Sequence, residues 1–308
     1  MKKIIFLFIV VIVFILQLAL CFSQSDDKDR IKRIGYKEMR AYSYKCSLDG
    51  IDESTRKLFY SETFDEQGNI ITRIVPVGRT KYMYFFKYDR NNNLINKQFM
   101  DEYDGLSITY KYNSENKLIE LVEHNPNGIS INREESIKYN KKGIMIEKTV
   151  RTPQKDNIYK TNYKYDENEN EISSTEHNRN SILIGKSNTT NEYNDKNQLI
   201  NKTRLYHRVT SSGTNYDSTI TVSTYTYDDV GNMITYYTTI TAPSGSFYDN
   251  YDYEYKTFLL TKAKCTTTLP NNTGYIKRWK YDDTGLSIEF TDYDDFDMPI
   301  SMTVYEYE

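Results

Sequence analysis

The chain has 308 residues, of which 38% are hydrophobic and 27% charged, with a formal net charge of −3 and a mean hydropathy of −0.72. That length supports one large domain or two small ones. The polarity excludes a chain embedded mainly in lipid, and the evenly spread charge leaves no electrostatic footprint for nucleic acid. Against one Trp, six Pro and eight Met there are 30 Tyr. Tyrosine favours strands and sits half-buried with a wet hydroxyl, so the excess points to an all-β protein with amphipathic faces.

At the N-terminus, Lys2 and Lys3 precede an apolar run from Ile4 to Leu16, with small residues following at Cys21 and Ser23. This pattern predicts a secretory signal peptide over residues 1–23, cleaved after Ser23, and hence export to the periplasm, cell surface or extracellular space. Leu20 is too bulky for the position before a lipid-modified cysteine, which argues against a lipid on Cys21. The clean apolar run is also short for a span of ~20 residues. Contact with a membrane is therefore expected only if this segment stays uncleaved or is lipidated. Removing Lys2 and Lys3 takes the mature charge to −5 and leaves Cys46 and Cys265. An oxidising compartment would let these two bridge, but an extended array would hold them beyond the ~7 Å that a disulfide tolerates.

Residues 24–30 are polar and are expected to be a flexible lead-in; residues 31–308 form a single domain. The first strands are predicted over Ile31 to Tyr44 and Lys57 to Phe64, with a loop between Ser47 and Thr55. From there one unit recurs. Aligned on the last aromatic of the strand, the anchors are Phe64, Tyr88, Tyr112, Tyr139, Tyr165, Tyr193, Tyr227, Tyr255, Tyr281 and Tyr293, mostly 24 to 28 residues apart. Tyr305-Glu306-Tyr307 reads as the strand of an incomplete last unit. Self-similarity at this period marks a repeat architecture.

Each column of the repeat has a physical duty. One residue after the anchor stands Asp or Asn (Asp65, Asp89, Asn113, Asn140, Asp166, Asn194, Asp228, Asp282, Asp294), whose side chains cap turn N–H groups. Four and five residues after it come pairs such as Gly68-Asn69, Asn92-Asn93 and Gly231-Asn232, which tolerate the positive φ of a tight hairpin. Seven residues after it sits isoleucine (Ile71, Ile95, Ile119, Ile146, Ile172, Ile200, Ile234, Ile288, Ile300), broken only by Lys262. A four-residue loop would place this Ile across from the anchor as an aromatic–β-branched pair; a three-residue loop would shift the pairing by one. Two residues before the anchor the aromatic often repeats, as Phe86, Tyr110, Tyr163, Tyr225, Tyr253 and Trp279. The residues between are Lys87, Lys111, Lys164, Thr226, Glu254 and Lys280. One face is thus aromatic and the other charged or hydroxylated.

The stretch from Tyr225 to Ile234, Tyr-x-Tyr-Asp-x-x-Gly-Asn-x-Ile, resembles the YD repeat of the RHS family of bacterial secreted and surface proteins. Trp279 to Ile288 matches as closely, Phe64 to Ile71 and Phe86 to Ile95 more loosely, and the resemblance covers roughly residues 60 to 308. It implies a long β-hairpin sheet that, in large members, spirals into a shell around a toxin. About ten hairpins running to Glu308 are too few for such a shell, so the architecture is what carries over. The expected fold is an all-β antiparallel β-hairpin repeat array in an elongated, twisted and curved sheet.

Chemistry finds little purchase in this pattern. His124 and His177, each preceded by Glu, recur two repeats apart, about four strands, which is too far for shared metal ligation at ~4.8 Å per strand; His207 lies in no recognisable metal-binding motif. The Asp column lacks the EF-hand spacing and the calcium β-roll pattern, and turn capping accounts for it. No Gly-x-Ser-x-Gly, cysteine-nucleophile motif or phosphate loop is present. No cofactor, metal or catalytic residue is predicted. The expectation is a non-enzymatic binding or structural role at the cell envelope, with a protein or glycan partner; the alternative class is an envelope-associated hydrolase on the same scaffold. The candidate ligand-face aromatics are Tyr110, Tyr163, Tyr225, Tyr253 and Trp279. Function is to be sought where the repeat breaks: Lys262, the degenerate Tyr255 unit and the longer 193–227 interval.

Overall fold

The computed structural model describes residues 28–47, 50–101, 105–125, 128, 130–209, 216–243, 245–256, 259–267, 275–294 and 298–308; the expected leader lies outside them. The strands are β1 (Glu38–Ser47), β2 (Gly50–Phe64), β3 (Ile70–Val77), β4 (Thr80–Tyr88), β5 (Leu94–Met100), β6 (Gly105–Tyr112) and β7 (Leu118–His124). They continue as β8 (Ile131–Tyr139), β9 (Met145–Thr152), β10 (Asn157–Tyr165), β11 (Glu171–Asn178), β12 (Leu183–Tyr193), β13 (Leu199–Val209) and β14 (Tyr216–Tyr227). The last six are β15 (Met233–Ala242), β16 (Gly245–Lys256), β17 (Leu259–Thr267), β18 (Tyr275–Tyr281), β19 (Ser287–Asp294) and β20 (Pro299–Tyr307).

Every strand pairs antiparallel with the next, and β20 pairs with β1 from Met39↔Tyr307 to Lys45↔Ser301. The 20-stranded sheet is therefore a closed up-and-down barrel, which corrects the expected elongated open array: the two ends of the repeat meet. At ~4.8 Å between strands the perimeter is ~96 Å, a diameter of at least ~30 Å, and strand tilt widens it further. Strands pack against their neighbours around the ring, and β2 and β20 also touch across β1.

Hairpin geometry explains the curl. In the 64–70 unit, Asp65 N–H donates to Asn69 O (2.9 Å) and Gly68 N–H to Asp65 O (3.0 Å), a type I turn closed by a left-handed residue. The Asp65 carboxylate accepts from the Gln67 and Asn69 amides and from Asn69 Nδ2. Asx capping of the same kind recurs at Asp89, Asn113, Asn140, Asp166, Asn194, Asp228 and Asp282. The three-residue loop sets the register: the anchor faces the sixth residue after it, and the isoleucine at the seventh is left over. Thus Tyr112 faces Leu118 and Lys111 faces Glu120, with Ile119 bulged between them. Ile71, Ile95, Ile146, Ile172, Ile200, Ile234, Ile288 and Ile300 fall in the same place. The isoleucine column marks a bulge in each hairpin, and bulges bend a strand and increase its twist. In the degenerate unit Lys256 faces Leu259, so the bulge falls one residue earlier, on Thr261, and Lys262 is an ordinary paired residue.

Bulges also interrupt the seams between hairpins. The β5–β6 ladder stops at Asn96↔Thr109, short of the rim, and there Tyr112 Oη–H donates to Leu94 O at 2.8 Å. Tyr88, Tyr139, Tyr227, Tyr281 and Tyr307 make the same bond to Ile70, Leu118, Leu199, Leu260 and Ser287, at 2.7 to 3.1 Å. A carbonyl next to a bulge has lost its ladder partner, and the phenol supplies one. Burial, and then the nearby Asp65 charge, push the Tyr88 phenol up to about 12.

Residues 28–34 are helical, where a loose lead-in and the start of a strand were expected. Ile31 is buried with Met39, Ala41, Phe64 and Leu286, with Tyr36, Tyr60, Tyr305 and Tyr307 packed around them. The helical segment crosses the rim so closely that a side chain at Gly68 would strike the backbone of Lys28. Cys46 and Cys265 are both free. Three strands separate β1 from β17, roughly 19 Å at the usual spacing.

Three outcomes are expected. Tyr112→Phe should cost about 1 kcal/mol, seen as a lower urea midpoint at unchanged m-value; an unchanged midpoint would refute the seam bond. Glu169 holds the left-handed position of its turn at φ 64° and is exposed, a conformation that costs a side-chain-bearing residue about 1–2 kcal/mol. Glu169→Gly should therefore raise the melting temperature, and a fall would contradict this account of the turn. Finally, the folded state favours the neutral Tyr88 phenol, whose pKa lies above the unfolded value near 10. Its contribution is whole below pH ~10 and is lost as pH rises towards 12, so Tyr88→Phe should flatten the stability decline over that window.

Candidate functional site

Strand alternation sorts the side chains into an outer and an inner face, and β12 shows it plainly. Gly185, Ser187 and Thr189 are buried while Lys186, Asn188 and Thr190 are exposed. Small buried residues mark the crowded concave side, and Ala41, Ser174, Ser223, Thr238 and Ala263 lie there too. The outer face carries Lys87, Lys111, Lys138, Lys164 and Lys280, all exposed. Cross-strand ion pairs run along it: Lys111–Glu120 (2.5 Å), Lys138–Glu147 (2.9 Å), Glu147–Lys160 (2.7 Å) and Lys280–Glu289 (2.7 Å).

All five aromatics singled out in the sequence stand on the inner face, half-buried. Tyr225 stacks on Tyr236 (5.2 Å between centroids), Tyr236 on Tyr251 (5.7 Å) and Tyr251 on Tyr253 (6.3 Å), so Tyr225 and Tyr253 belong to one cluster. Burial pushes the Tyr225 phenol up to about 12 and raises those of Tyr251, Tyr253 and Tyr275 further. Trp279 packs on Phe290 at 5.3 Å, two strands farther round. Tyr110 faces Leu121 and Tyr163 faces Ser174 in separate sectors. The structure therefore brings two of the five together and keeps three apart.

The inner wall changes character around the ring. Across β4–β6 it is apolar: Tyr84, Phe99, Leu106 and Ile108 line a shallow concavity of about 230 Å³ with Lys97. Around β2–β3 and β8–β9 it carries compensated charge. Arg73 Nε donates to the buried Glu62 at 2.6 Å, yet burial still raises that carboxyl above its ordinary value. Glu135 is held by Arg133 and Lys148.

Across β12–β14 the wall is hydroxylated and basic. Three rows cross it: Ser187–Tyr206–Thr219, Thr189–Arg204–Thr221 and Asn191–Lys202–Ser223. Among the described residues, four buried side-chain atoms have no hydrogen-bond partner. Three of them, Thr189 Oγ1, Asn191 Oδ1 and Arg204 Nε, are in this patch; the fourth is His124 Nδ1. Sequence reasoning did not name these residues. Two signals point to them: the 193–227 interval is the long one, because β13 and β14 are lengthened, and Asn191 stands where other units repeat the aromatic. Here Tyr193 Oη–H donates to the Asp166 carboxylate (2.7 Å) instead of a bulge carbonyl. His124 and His177 sit on β7 and β11, four strands apart.

No family model and no curated protein matches the chain. Among solved structures, a Photorhabdus luminescens Tc holotoxin pore is similar at 15% identity and a TM-score of 0.41; the match covers 80% of this chain and 14% of that one. A porin-like protein from Bacteroides uniformis is similar at 8% identity and a TM-score of 0.35, covering 89% and 98% of the two chains. Another from Bacteroides vulgatus is similar at 10% and 0.35, covering 76% and 96%. At these scores the likenesses carry no argument about lineage or activity.

Proposed function

We propose that the protein is an exported, non-enzymatic binding protein of the cell envelope, whose working surface is the inner wall of a water-filled barrel. One observation carries this reading. The outer face carries exposed lysines and cross-strand ion pairs on β6–β10 and β18–β19, with exposed apolar side chains such as Met100, Ile220, Val222, Tyr237 and Tyr248 only in patches between. The inner face gathers most of the aromatic stacks, the buried carboxylates with their cations and the unpartnered polar atoms. A lipid-spanning barrel inverts that arrangement, with a continuous apolar band outside. Each lysine on a lipid face at mid-bilayer costs roughly 2–4 kcal/mol, and Lys111, Lys138, Lys160 and Lys164 all point outward here. In water Lys111, Lys138 and Lys160 form cross-strand pairs at little cost.

Export is supported by Lys2, Lys3 and the apolar run after them, and a surface or envelope role by the resemblance of the repeat to RHS proteins. A hydrolytic role draws no support from the Glu62 and Glu135 carboxylates of the inner wall, which are engaged with cations.

Purified without detergent, the mature chain is expected to be monodisperse and to stay at the bottom of a density gradient when mixed with liposomes of envelope lipids. Flotation with the lipid, or stepwise conductance in a planar bilayer, would overturn the water-filled binding barrel in favour of a membrane channel.

A further inference from the structure

We infer that the trough over β12–β14 binds a small carboxylate that carries hydroxyl or ammonium donors beside its charge, the chemistry shared by sugar acids and amino acids. The inference rests on the inner wall being the working surface.

The unmet hydrogen-bonding capacity of the patch defines the ligand. Thr189 is 8% exposed, and its hydroxyl has no partner. Asn191 uses its amide donors on Asp166 Oδ2 (3.2 Å) and Glu171 O (3.3 Å), which leaves Oδ1 as an acceptor without a donor. Arg204, directly across from Thr189, has an unpartnered Nε, and its Nη2 stands 3.9 Å from Glu171, beyond hydrogen-bond distance. Lys202, directly across from Asn191, has no ion pair with a described residue. Two cationic donors, one hydroxyl and one naked carbonyl acceptor therefore lie within two neighbouring rows.

Only a mixed ligand satisfies all four. A carboxylate alone answers Arg204 and Lys202 but leaves Asn191 Oδ1 unmet. A neutral sugar answers Asn191 and Thr189 but offers the cations no charge. Buried groups left unmet carry their full desolvation penalty, and charge-assisted bonds to a carboxylate are the stronger ones available to Arg204. The Arg204 side chain is 44% exposed on the inner wall, so its guanidinium is open to a ligand, and the Tyr206 ring flanks the patch on the same strand.

Calorimetric titration of the detergent-free chain with D-glucuronate, L-glutamate, D-glucose and acetate tests this. At least one of the two acids is expected to bind tenfold or more tightly than both glucose and acetate, and which of them does so identifies the source class. Lys202→Gln with Arg204→Gln should weaken that binding at least tenfold. Thr189→Val, which keeps shape and removes the hydroxyl, should weaken it several-fold at unchanged melting temperature, and it preserves the test if the double variant does not fold. Acids that bind no better than glucose and acetate, or binding indifferent to these substitutions, would sink the inference. A soluble barrel that ignores the acids loses this site alone, whereas flotation with lipid removes the reading beneath it.

Discussion

A phenol hydroxyl bonded to the carbonyl beside a bulge is the contact on which this barrel depends. Each hairpin needs its bulge to curve, and each bulge strips a carbonyl of its ladder partner at the seam with the next hairpin. Six tyrosines restore that partner in the same geometry. The repeat is therefore a coupled device in which the aspartate fixes the turn, the left-handed residue closes it, the isoleucine bulges and the neighbouring tyrosine repairs the damage. Phenylalanine would fill the same space and leave the carbonyl unmet, which accounts for tyrosine at these six positions.

A wall one sheet thick, with polar side chains on both faces, cannot rely on a large core. Among the described residues the compact apolar cluster is confined to the rim, around Ile31 and Leu286. Elsewhere the structure rests on ladders, cross-strand pairs and aromatic stacks, each worth about 1 kcal/mol or less. Such a wall can vary its inner surface sector by sector without disturbing its outside, because alternate residues answer to different constraints. The apolar concavity of β4–β6, the compensated charge of β8–β9 and the basic trough of β12–β14 are examples of that freedom.

Much of this was legible in the sequence. From the Phe64 unit onward the hairpins, the capping Asp and Asn and the positive φ at the fourth position of the turn follow from local rules, and the structure places them where the columns do. The fifth position keeps an ordinary φ, the expected loop from Ser47 to Thr55 is largely strand β2, and the aromatic face also carries charge. Register was not legible, because a spacing of seven fits both an Ile across from its anchor and an Ile bulged beside it; only the three-residue turn decides. Closure was not legible either. A repeat says that each hairpin curves, but the number of strands that completes a circle depends on tilt and bulge angle summed over twenty strands. The trough was half-visible: the 193–227 interval stood out by length, but Thr189 and Asn191 are ordinary strand residues until their cross-strand neighbours are known.

The seam between β1 and β20 has a consequence for how the molecule comes into being. It joins side chains as far apart in sequence as Arg40 and Glu308, and contacts of such separation form slowly because the whole intervening chain must first be brought into a ring. Until they form, the sheet has two unpaired edges. Intermediates along the route are therefore open ribbons whose edges can pair with those of another molecule, and their characteristic failure is end-to-end association. Residues 28–34, lying across the rim beside β1, β2 and the β18–β19 turn, are placed to hold the first strand in line for its late partner.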